Sequence, residues 1–458
     1  MTLTIEKETI RKFDVPGPRY TSYPTAPQWS GEVNESVYIE KLKEFGQTNK
    51  TLSLYIHIPF CRSMCTYCAC SVVIRPQDEK YGEEYVTHLI KEMDLVAQYM
   101  GSKRKIRQLH WGGGTPTYLT ESQIEKLFQK TKDAFDIDSS AEMAIEIDPR
   151  NVTKEKLRLL RQLGFNRISL GIQDFDITVQ KSVNRLQPYE TVKSCYDDCR
   201  QLGFHSINFD LIYGLPHQTI QTFDETVQKV VEFGPDRIAL YSFAYVPWLK
   251  KHQSKMNPDE LPSHDLKLDI FLHARQKFLQ NGYRSIAMDH FAVETDELAK
   301  SFDKGTLYRN FMGYTVKPAD EYLGLGVTAI GFLQNTFIQN QKILPDYYQS
   351  LKNEFLPVER GKILSQHDLI RQWTINSLMC QFQLDKKVFF AKFGFVFDDF
   401  FSQEQEHIHY CQEEGLLNLR DDSLTVTELG KIFIRNICMG FDEYLKQQPT
   451  YRQFSQTV

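Results

Sequence analysis

Four cysteines stand within ten residues of one another early in the chain, and their spacing suits a metal centre. Cys61, Cys65 and Cys68 have the pattern C-x3-C-x2-C, and Cys70 follows two residues later. A short β-rich run at 54–58 ends just before the first of them. A tight loop at the end of such a strand can turn three thiolates toward one point.

The number of clustered cysteines narrows the kind of metal. Iron–sulfur centres that only transfer electrons use four cysteines, and zinc prefers four ligands that close the site, usually as two separated pairs. Here three cysteines are packed together with no second pair downstream. Three ligands leave one iron of a four-iron cluster open to a substrate. A zinc site or metal-free reduced thiols are the alternatives, and disulfides are the weakest one because nothing else indicates secretion.

The cysteine loop resembles that of the radical S-adenosylmethionine enzymes. In that family the open iron is chelated by the amino and carboxylate groups of S-adenosylmethionine, and an electron from the cluster then gives a 5′-deoxyadenosyl radical. Tyr67, just before Cys68, matches the family's aromatic residue near the adenine. The resemblance implies a [4Fe-4S] cluster on Cys61, Cys65 and Cys68. Whether Cys70 has a chemical role stays open, since C-x-C spacing would strain two ligands of one cluster.

Composition excludes several other classes of protein. The 458 residues carry a net charge of −5, with 25% charged and 41% hydrophobic residues, which predicts two or three globular domains. Mild acidity argues against a nucleic-acid partner. No apolar run approaches the roughly 20 residues that span a bilayer, and the charged N-terminal segment does not resemble a signal peptide. Nine cysteines without a secretion signal favour a cytoplasmic protein with no membrane partner.

A regular alternation of strands and helices begins at Leu52. The β-rich runs fall at 53–58, 106–111, 142–147, 167–172, 206–212 and 237–243. Segments with helical periodicity fill the gaps, for example Leu157 to Leu163, which Gly164 closes. This alternation predicts an α/β fold with a parallel sheet. Six units in about 200 residues predict a partial (β/α)6 barrel rather than a complete eightfold one.

The carboxyl ends of these runs carry most of the polar chemistry, and that is the edge where α/β sheets bind ligands. After the cysteines come the segments 111–117 and 146–150, then Gln173, Asp210 and Ala244. The glycines at 112–114 fit neither a dinucleotide fingerprint nor a P-loop. A tight turn for these glycines, a helix cap for the carboxylate of 146 and a structural ion pair between Asp210 and Arg185 remain the alternatives.

The remaining chain predicts three further parts besides the barrel of residues 51–250. Residues 1–50 form an N-terminal arm, irregular at 17–25 because of its Pro and Gly content. Residues 251–364 extend the barrel with a helix at 264–281 and glycine-rich turns that close the site. Residues 365–458 form a helical, winged-helix-like domain with helices at 368–382, 399–416 and 427–446 and a hairpin at 416–426. His290 beside an aspartate is a candidate for proton transfer, although a lone His is more often merely hydrogen-bonded.

Over nearly its whole length the sequence resembles the oxygen-independent coproporphyrinogen III oxidases. The arm Pro-Arg-Tyr-Thr-Ser-Tyr-Pro at 18–24 and Cys70 distinguish this family from the related haem chaperones, which are similar only over the catalytic core. Three positions depart from the family pattern: Ala69 replaces a Gly, Ser71 an Asn and Met312 a Gln.

The resemblance implies a function in haem biosynthesis. The family converts coproporphyrinogen III to protoporphyrinogen IX by oxidative decarboxylation of two propionates to vinyls, with two S-adenosylmethionine molecules. By position, the molecule on the cluster would be held by Tyr55, Tyr67, Gly113, Glu146, Ala244 and Ile330. The second molecule would be held by Gly114, Thr115, Gln173, Arg185 and Asp210.

The resemblance also bears on partners and alternatives. It implies a reducing electron donor such as flavodoxin or ferredoxin, and the arm's Arg19 suits the substrate's carboxylates. No catalytic residue is assigned, with Cys70 and His290 as candidates. A haem chaperone that binds haem without decarboxylation, and a DNA-binding iron–sulfur sensor, are the competing functions. Asp421 and Asp422 at the hairpin tip would repel DNA.

Overall fold

One twelve-stranded sheet organises most of the computed structural model, which describes residues 7–447, 454 and 456. Its strands are β1 (Leu52–Ile58), β2 (Lys105–Gly113), β3 (Asp136–Ile147), β4 (Arg167–Gln173), β5 (Ser206–Tyr213), β6 (Arg237–Ser242), β7 (Tyr283–Ile286), β8 (His290–Val293), β9 (Glu321–Leu325), β10 (Ile330–Leu333), β11 (Thr336–Asn340) and β12 (Val358–Ile363). They lie in the order β12-β11-β10-β9-β1-β2-β3-β4-β5-β6-β8-β7.

The six central strands confirm the predicted α/β fold. Strands β1 to β6 are adjacent and parallel throughout. The helices between them are Glu79–Met100, Glu121–Ala134, Lys154–Gln162, Ile177–Ser182, Tyr189–Gln201 and Ile220–Phe233. The sheet ends at β7 and β12 without closing on itself, so the barrel is partial, as expected from six units.

Local sequence explains these elements. Almost every position of β1 is buried, because a parallel sheet covered on both faces needs a nearly continuous apolar run. The helix Glu121–Ala134 begins at a capping box between Thr120 and Gln123. The helix Glu79–Met100 ends at Gly101, whose φ of 72° allows the left-handed turn that stops it.

Both flanks of the sheet carry strands that the sequence analysis did not identify. Beyond β6, the strands β8 and β7 add in antiparallel fashion. Beyond β1, the strand β9 pairs in parallel, and β10 to β12 follow as an antiparallel meander. The predicted helix at 264–281 is present as His264–Gln280. The extension of the barrel therefore combines these strands with three helices, His264–Gln280, Glu297–Asp303 and Leu344–Lys352. The proposed domain boundaries stay predictions.

The C-terminal part contains the expected hairpin but shorter helices. The helix Gln366–Gln381 is followed by Gln383–Asp385, which joins the hairpin Leu417–Leu419 and Ser423–Val426 as a three-stranded sheet. The helices after it are Lys386–Phe393, Phe397–Phe400, Gln405–Glu413, Glu428–Ile432, Ile434–Met439 and Glu443–Gln447. A single helix over 427–446 was therefore a wrong prediction. The interruptions at Phe433 and Phe441 bury both rings completely, which one straight helix would not do.

The N-terminal arm packs on this C-terminal part. Helices Lys7–Phe13 and Glu35–Gly46 flank residues 17–25, which form no helix or strand, as predicted. The rings of Tyr20 and Tyr23 are buried in the same apolar cluster as the C-terminal helices. The Arg435 guanidinium donates to the backbone carbonyls of residues 17 and 18. Within the described residues, no helix combines the length and the apolarity needed to cross a membrane.

Candidate active site

A cavity of about 760 Å³ opens at the carboxyl ends of the parallel strands. Residues that follow β1 to β6 line it, and the arm covers one side with Arg19 and Tyr20. Thiol, carboxylate, guanidinium and glycine groups therefore share one enclosed volume. This is the edge where parallel α/β sheets bind ligands.

The cysteine loop is held in place from three directions. At its base, Phe60–Cys61 pairs in parallel with Val73–Ile74. The Asn184 side chain donates to the carbonyl of Met64 at 2.8 Å. On the outside, the His252 Nε2 atom lies 2.7 Å from the Cys68 carbonyl. The loop is thus fixed by hydrogen bonds through its backbone, which leaves the thiols to the cavity.

Cys61, Cys65 and Cys68 all line this cavity, together with Cys70. The Cys61 Sγ atom lies 3.4 Å from the Thr115 hydroxyl. Burial raises the pKa of the Cys61 thiol to about 11, so its thiolate needs a positive partner. Within the described range, no three Cys, His, Asp or Glu side chains are arranged to hold a single metal ion. Three thiols around one cavity suit a multi-iron cluster, in which each thiolate binds a different iron.

Arginines next to the loop add positive charge. The Arg185 Nη1 atom lies 3.8 Å from the Cys65 Sγ atom and 3.5 Å from an Asp148 oxygen. Arg150 donates to the same carboxylate from Nε at 2.9 Å and from Nη2 at 2.6 Å. Although burial opposes it, the neighbouring Arg185 and Arg150 lower the pKa of Asp148 to about 2. Two guanidiniums facing one carboxylate leave a net positive charge for an anionic group.

The glycine turn after β2 brings its backbone against the cysteine loop. Gly113 has a φ of +114°, and a Cβ there would lie 2.4 Å from the His57 ring. A Cβ on Gly114 would lie 2.6 Å from the Pro59 carbonyl oxygen, and the Gly114 N–H donates to the Ile58 carbonyl at 2.8 Å. Only glycine fits both positions, so the turn is a requirement of the site rather than a plain connection.

Glu146 faces the cavity as an anion. Its Oε2 atom accepts from the Gly113 N–H at 3.0 Å, and its Oε1 atom lies 3.2 Å from the His110 Nε2 atom. Burial would raise the pKa of Glu146, but His110 and the backbone N–H outweigh it and lower this pKa. The carboxylate is therefore charged and can accept further hydrogen bonds from hydroxyl or ammonium groups of a ligand.

Asp210 and Gln173 present polar atoms on the opposite wall. Asp210 accepts from the Ser169 hydroxyl and the Asn208 amide, each at 2.8 Å, and burial raises its pKa to about 6. The buried Gln173 Oε1 atom has no hydrogen-bond partner among the described residues, as expected of a group that meets a ligand. The alternative of an ion pair between Asp210 and Arg185 is wrong, because Arg185 faces the Asp148 carboxylate instead.

The remaining predicted residues divide between the cavity and its surroundings. Tyr67 and Ala244 line the cavity, whereas Tyr55 and Ile330 do not. The Tyr55 hydroxyl lies 2.9 Å from the His57 Nδ1 atom, so this residue supports the glycine turn from behind. Ile330 belongs to β10 and its backbone packs against Gly324.

His290 and Met312 lie outside the cavity lining. Ala69 lines the cavity but keeps an ordinary backbone conformation. The His290 Nδ1 atom lies 2.6 Å from Asp289, and neither residue lines the cavity. Met312 packs near Trp29 in an apolar cluster. Ala69 is not among the described residues with positive φ, so a β-carbon is tolerated there.

The role of the arginine–carboxylate group was not predicted from the sequence. Asp148 and Arg150 stood in the segment 146–150 after the third strand, but neither was assigned to the site. Their position at a strand end, two residues apart, was the available signal. The structure places both in the cavity wall beside Arg185.

Comparison with known proteins agrees with this geometry. The family model of the Radical SAM superfamily matches residues 55–230, which contain the cysteine loop and most of the parallel strands. The model of the HemN C-terminal domain matches residues 364–433. The fold and the three-cysteine cavity thus define a radical S-adenosylmethionine enzyme, with a [4Fe-4S] cluster and S-adenosylmethionine as its cofactors.

Full-length relatives identify the family within that class. The chain is 44% identical to an oxygen-independent coproporphyrinogen III oxidase of Synechocystis sp., over 100% of this chain and 99% of the relative. It is 39% identical to the enzyme of that name from Escherichia coli, over 98% and 97% of the two chains. The solved structure of coproporphyrinogen III oxidase (HemN) from Escherichia coli superposes with a TM-score of 0.92 at 37% identity, covering 97% of this chain and 100% of that one. The chain belongs to the family of oxygen-independent coproporphyrinogen III oxidases.

Proposed function

We propose that this protein converts coproporphyrinogen III to protoporphyrinogen IX without molecular oxygen, by decarboxylating two propionates to vinyls. The observation that carries the proposal is the cavity itself. Three cysteines of one loop and the arm residue Arg19 line it together. The cavity therefore places a redox centre near a guanidinium that can bind a carboxylate. Full-length relatives bearing the name of this activity support it.

The cluster would be held by Cys61, Cys65 and Cys68. When bound together with S-adenosylmethionine, it supplies one-electron chemistry that generates a carbon radical able to take a hydrogen atom. Arg185 beside Cys65 offsets the negative charge that the thiolates introduce. Cys70 lies in the same wall and is exposed, which leaves it outside the proposed ligand set.

The cavity wall provides two groups of contacts for S-adenosylmethionine. Glu146 and the Gly113 backbone would hold the molecule on the cluster, with Tyr67 and Ala244 beside it and with Tyr55 and Ile330 behind the wall. The second molecule would be held by Gly114, Thr115, Gln173, Arg185 and Asp210. The free Gln173 Oε1 atom and the charged Arg185 support contacts with an amino group and a carboxylate respectively.

The reaction at the substrate needs no base from the protein. Removal of a hydrogen atom from the propionate β-carbon leaves a carbon radical there. The bond between the α-carbon and the carboxylate then breaks, one of its electrons forms the vinyl double bond, and CO2 leaves. The remaining electron passes to a one-electron acceptor. His290, which is paired with Asp289 outside the cavity, has no part in this step.

We also infer a small acidic electron donor such as flavodoxin or ferredoxin. Lys250 donates to the Cys70 carbonyl at 3.3 Å, and the neighbouring Lys251 is exposed. A positive surface therefore lies directly outside the cysteine loop, where an electron has the shortest way in. Charge complementarity of this kind mainly accelerates association. No disulfide joins any of the nine cysteines, all of which lie in the described residues, and this fits the cytoplasm as the compartment.

Anaerobic turnover tests the proposal. The holoenzyme is incubated with coproporphyrinogen III, S-adenosylmethionine and dithionite, and CO2, vinyl product and 5′-deoxyadenosine are measured. All three should form, and a Cys65→Ser variant should form none. Haem binding without cleavage of S-adenosylmethionine would instead support a chaperone and contradict the proposed activity.

A further inference from the structure

A second cavity of about 910 Å³ lies beside the first and has no role in the site described so far. Phe243, Ala244 and Phe454 line both cavities. The second one is further enclosed by apolar groups of Tyr245, Trp248 and Leu261. Its position next to the reaction cavity raises the question of what extends into it.

Volume indicates that the reaction cavity alone is too small. About 300 to 1,000 Å³ is the usual size of a pocket for one small ligand, and the first cavity lies within that range. The proposed function requires it to accept S-adenosylmethionine and a tetrapyrrole at the same time. The second cavity is the adjoining space that can take part of the tetrapyrrole.

Lys267 is the lysine of the second cavity, whose lining also includes His264. It belongs to the helix His264–Gln280, and its Nζ atom donates to the Phe243 carbonyl at 3.0 Å. Its side chain passes directly over Gly214, where an added Cβ would lie 2.7 Å from the lysine Cε atom. Gly214 has a φ of +87°. Because Gly214 has no side chain, the lysine stem can pass over it and place the ammonium at the wall between the cavities.

The positive charge on this wall is not neutralised by an ion pair. Arg19 reaches the adjacent Ser242 carbonyl at 3.2 Å from the side of the first cavity. Within the described chain, neither Arg19 nor Lys267 has a carboxylate within 4 Å, and Asp14 near the cavity pairs with His264 at 2.7 Å. Burial lowers the pKa of Lys267 to about 8, although the Asp14 carboxylate opposes this shift, and Arg19 and Arg435 make smaller contributions in the lowering direction. The two cations donate to neutral carbonyls of neighbouring residues, and their uncompensated charge favours an anionic ligand.

We propose that Lys267 forms a carboxylate subsite in the second cavity, which binds a propionate of the tetrapyrrole that does not react. Coproporphyrinogen III carries four propionates, and only two are decarboxylated. The macrocycle would cross the wall at Phe243 and Ala244, with a reacting propionate in the first cavity and a retained one on Lys267. This inference rests on the proposed function and assigns a specificity-determining residue to it.

The test compares Lys267→Met with Lys277→Met in the anaerobic holoenzyme. Methionine keeps most of the lysine stem and removes the charge. Lys277 lies on the same helix but pairs with Asp224 at 3.2 Å on its outer side, so its variant controls for helix damage. Binding of coproporphyrin III, the fluorescent oxidised tetracarboxylate, is measured together with KM and kcat for coproporphyrinogen III.

A lost charge-assisted hydrogen bond should weaken binding about tenfold to a hundredfold. We expect that loss in Lys267→Met, with a matching rise in KM, and no change in Lys277→Met. An analogue whose two retained propionates are methyl esters should bind wild type and Lys267→Met equally. Unchanged affinity for the tetracarboxylate, or an equal loss for the ester, overturns the subsite. Uncoupled 5′-deoxyadenosine formation should be the same in all three proteins.

The same experiment separates this inference from the proposed function. If wild type binds coproporphyrin III but releases no CO2 from coproporphyrinogen III, the activity is refuted, while weaker binding by Lys267→Met still supports the subsite. If wild type decarboxylates and Lys267→Met has an unchanged KM, the subsite is refuted and the activity stands. If wild type neither binds coproporphyrin III nor releases CO2 from coproporphyrinogen III, both are refuted.

Discussion

Replacing Gly113 by alanine should damage the site through one identifiable collision. The new Cβ would lie 2.4 Å from the His57 Cε1 atom and 2.5 Å from its Nδ1 atom. The ring cannot yield freely, because Nδ1 lies 2.9 Å from the Tyr55 hydroxyl and Nε2 lies 3.0 Å from the Ser71 carbonyl. An ordinary contact requires the ring to move by about 1 Å, which breaks at least one of these hydrogen bonds.

The cost follows from two contributions. A non-glycine residue at a φ of +114° costs about 1 to 3 kcal/mol in backbone strain. Disrupting the hydrogen bonds of a buried ring adds about 1 to 3 kcal/mol. We therefore expect Gly113→Ala to lower the free energy of unfolding by about 2 to 6 kcal/mol, and to weaken S-adenosylmethionine binding because the N–H that faces Glu146 shifts.

Gly101→Ala is the matched control for this variant. Gly101 also has a positive φ, of 72°, but an added Cβ there meets nothing within 4 Å. It should cost only the backbone contribution, about 1 to 2 kcal/mol. Urea unfolding followed by tryptophan fluorescence, together with S-adenosylmethionine titration of the anaerobic protein, compares the two. The reasoning fails if Gly113→Ala is no more destabilising than Gly101→Ala.

A second substitution checks the assigned collision. His57→Ala removes the ring that the new Cβ would meet. The double variant Gly113→Ala/His57→Ala should therefore be more stable than the sum of the two single effects predicts, by about 1 kcal/mol or more. Strict additivity would show that the cost of Gly113→Ala lies in the backbone alone.

Substitutions at three further positions test the charged groups. Arg185→Met removes one of the two guanidiniums that face Asp148 and should weaken S-adenosylmethionine binding at least about tenfold by equilibrium dialysis, whereas Arg185→Lys should recover part of the loss. Because burial raises the pKa of Asp210 to about 6, its carboxylate is charged above that pH; affinity for S-adenosylmethionine should fall as pH decreases through about 6, and Asp210→Asn should remove that inflection. Lys251→Glu should raise KM for an acidic flavodoxin about threefold to tenfold and flatten its salt dependence, with dithionite-driven turnover unchanged.

The central sheet could be predicted because its signals are local and repeated. Each of β1 to β6 is a short apolar run followed by a helix, and parallel order follows from that alternation. The cavity followed from the same argument, since residues such as Asp210 and Glu146 sit at equivalent strand ends. Chain order alone thus brings them to one edge of the sheet.

The parts that were missed depend on contacts between distant segments. Strand β9 pairs with β1 across more than 250 residues of chain, and its sequence resembles a glycine-rich turn. The last helix is divided because Phe433 and Phe441 must turn inward, a requirement set by the partner surface. Ile330 lies on the β-meander and is not among the residues that line the cavity, so its contact with S-adenosylmethionine stays a prediction.

The bond from Arg435 to the backbone of the N-terminal arm has a consequence for how the protein matures. The cover of the reaction chamber needs two segments separated by more than 400 positions, so a ribosome has almost finished translation before that cover can form. The cysteine loop, made much earlier, stays open to iron–sulfur delivery throughout that interval. Late closure would let the cell load the metal centre first and shield it from oxygen afterwards.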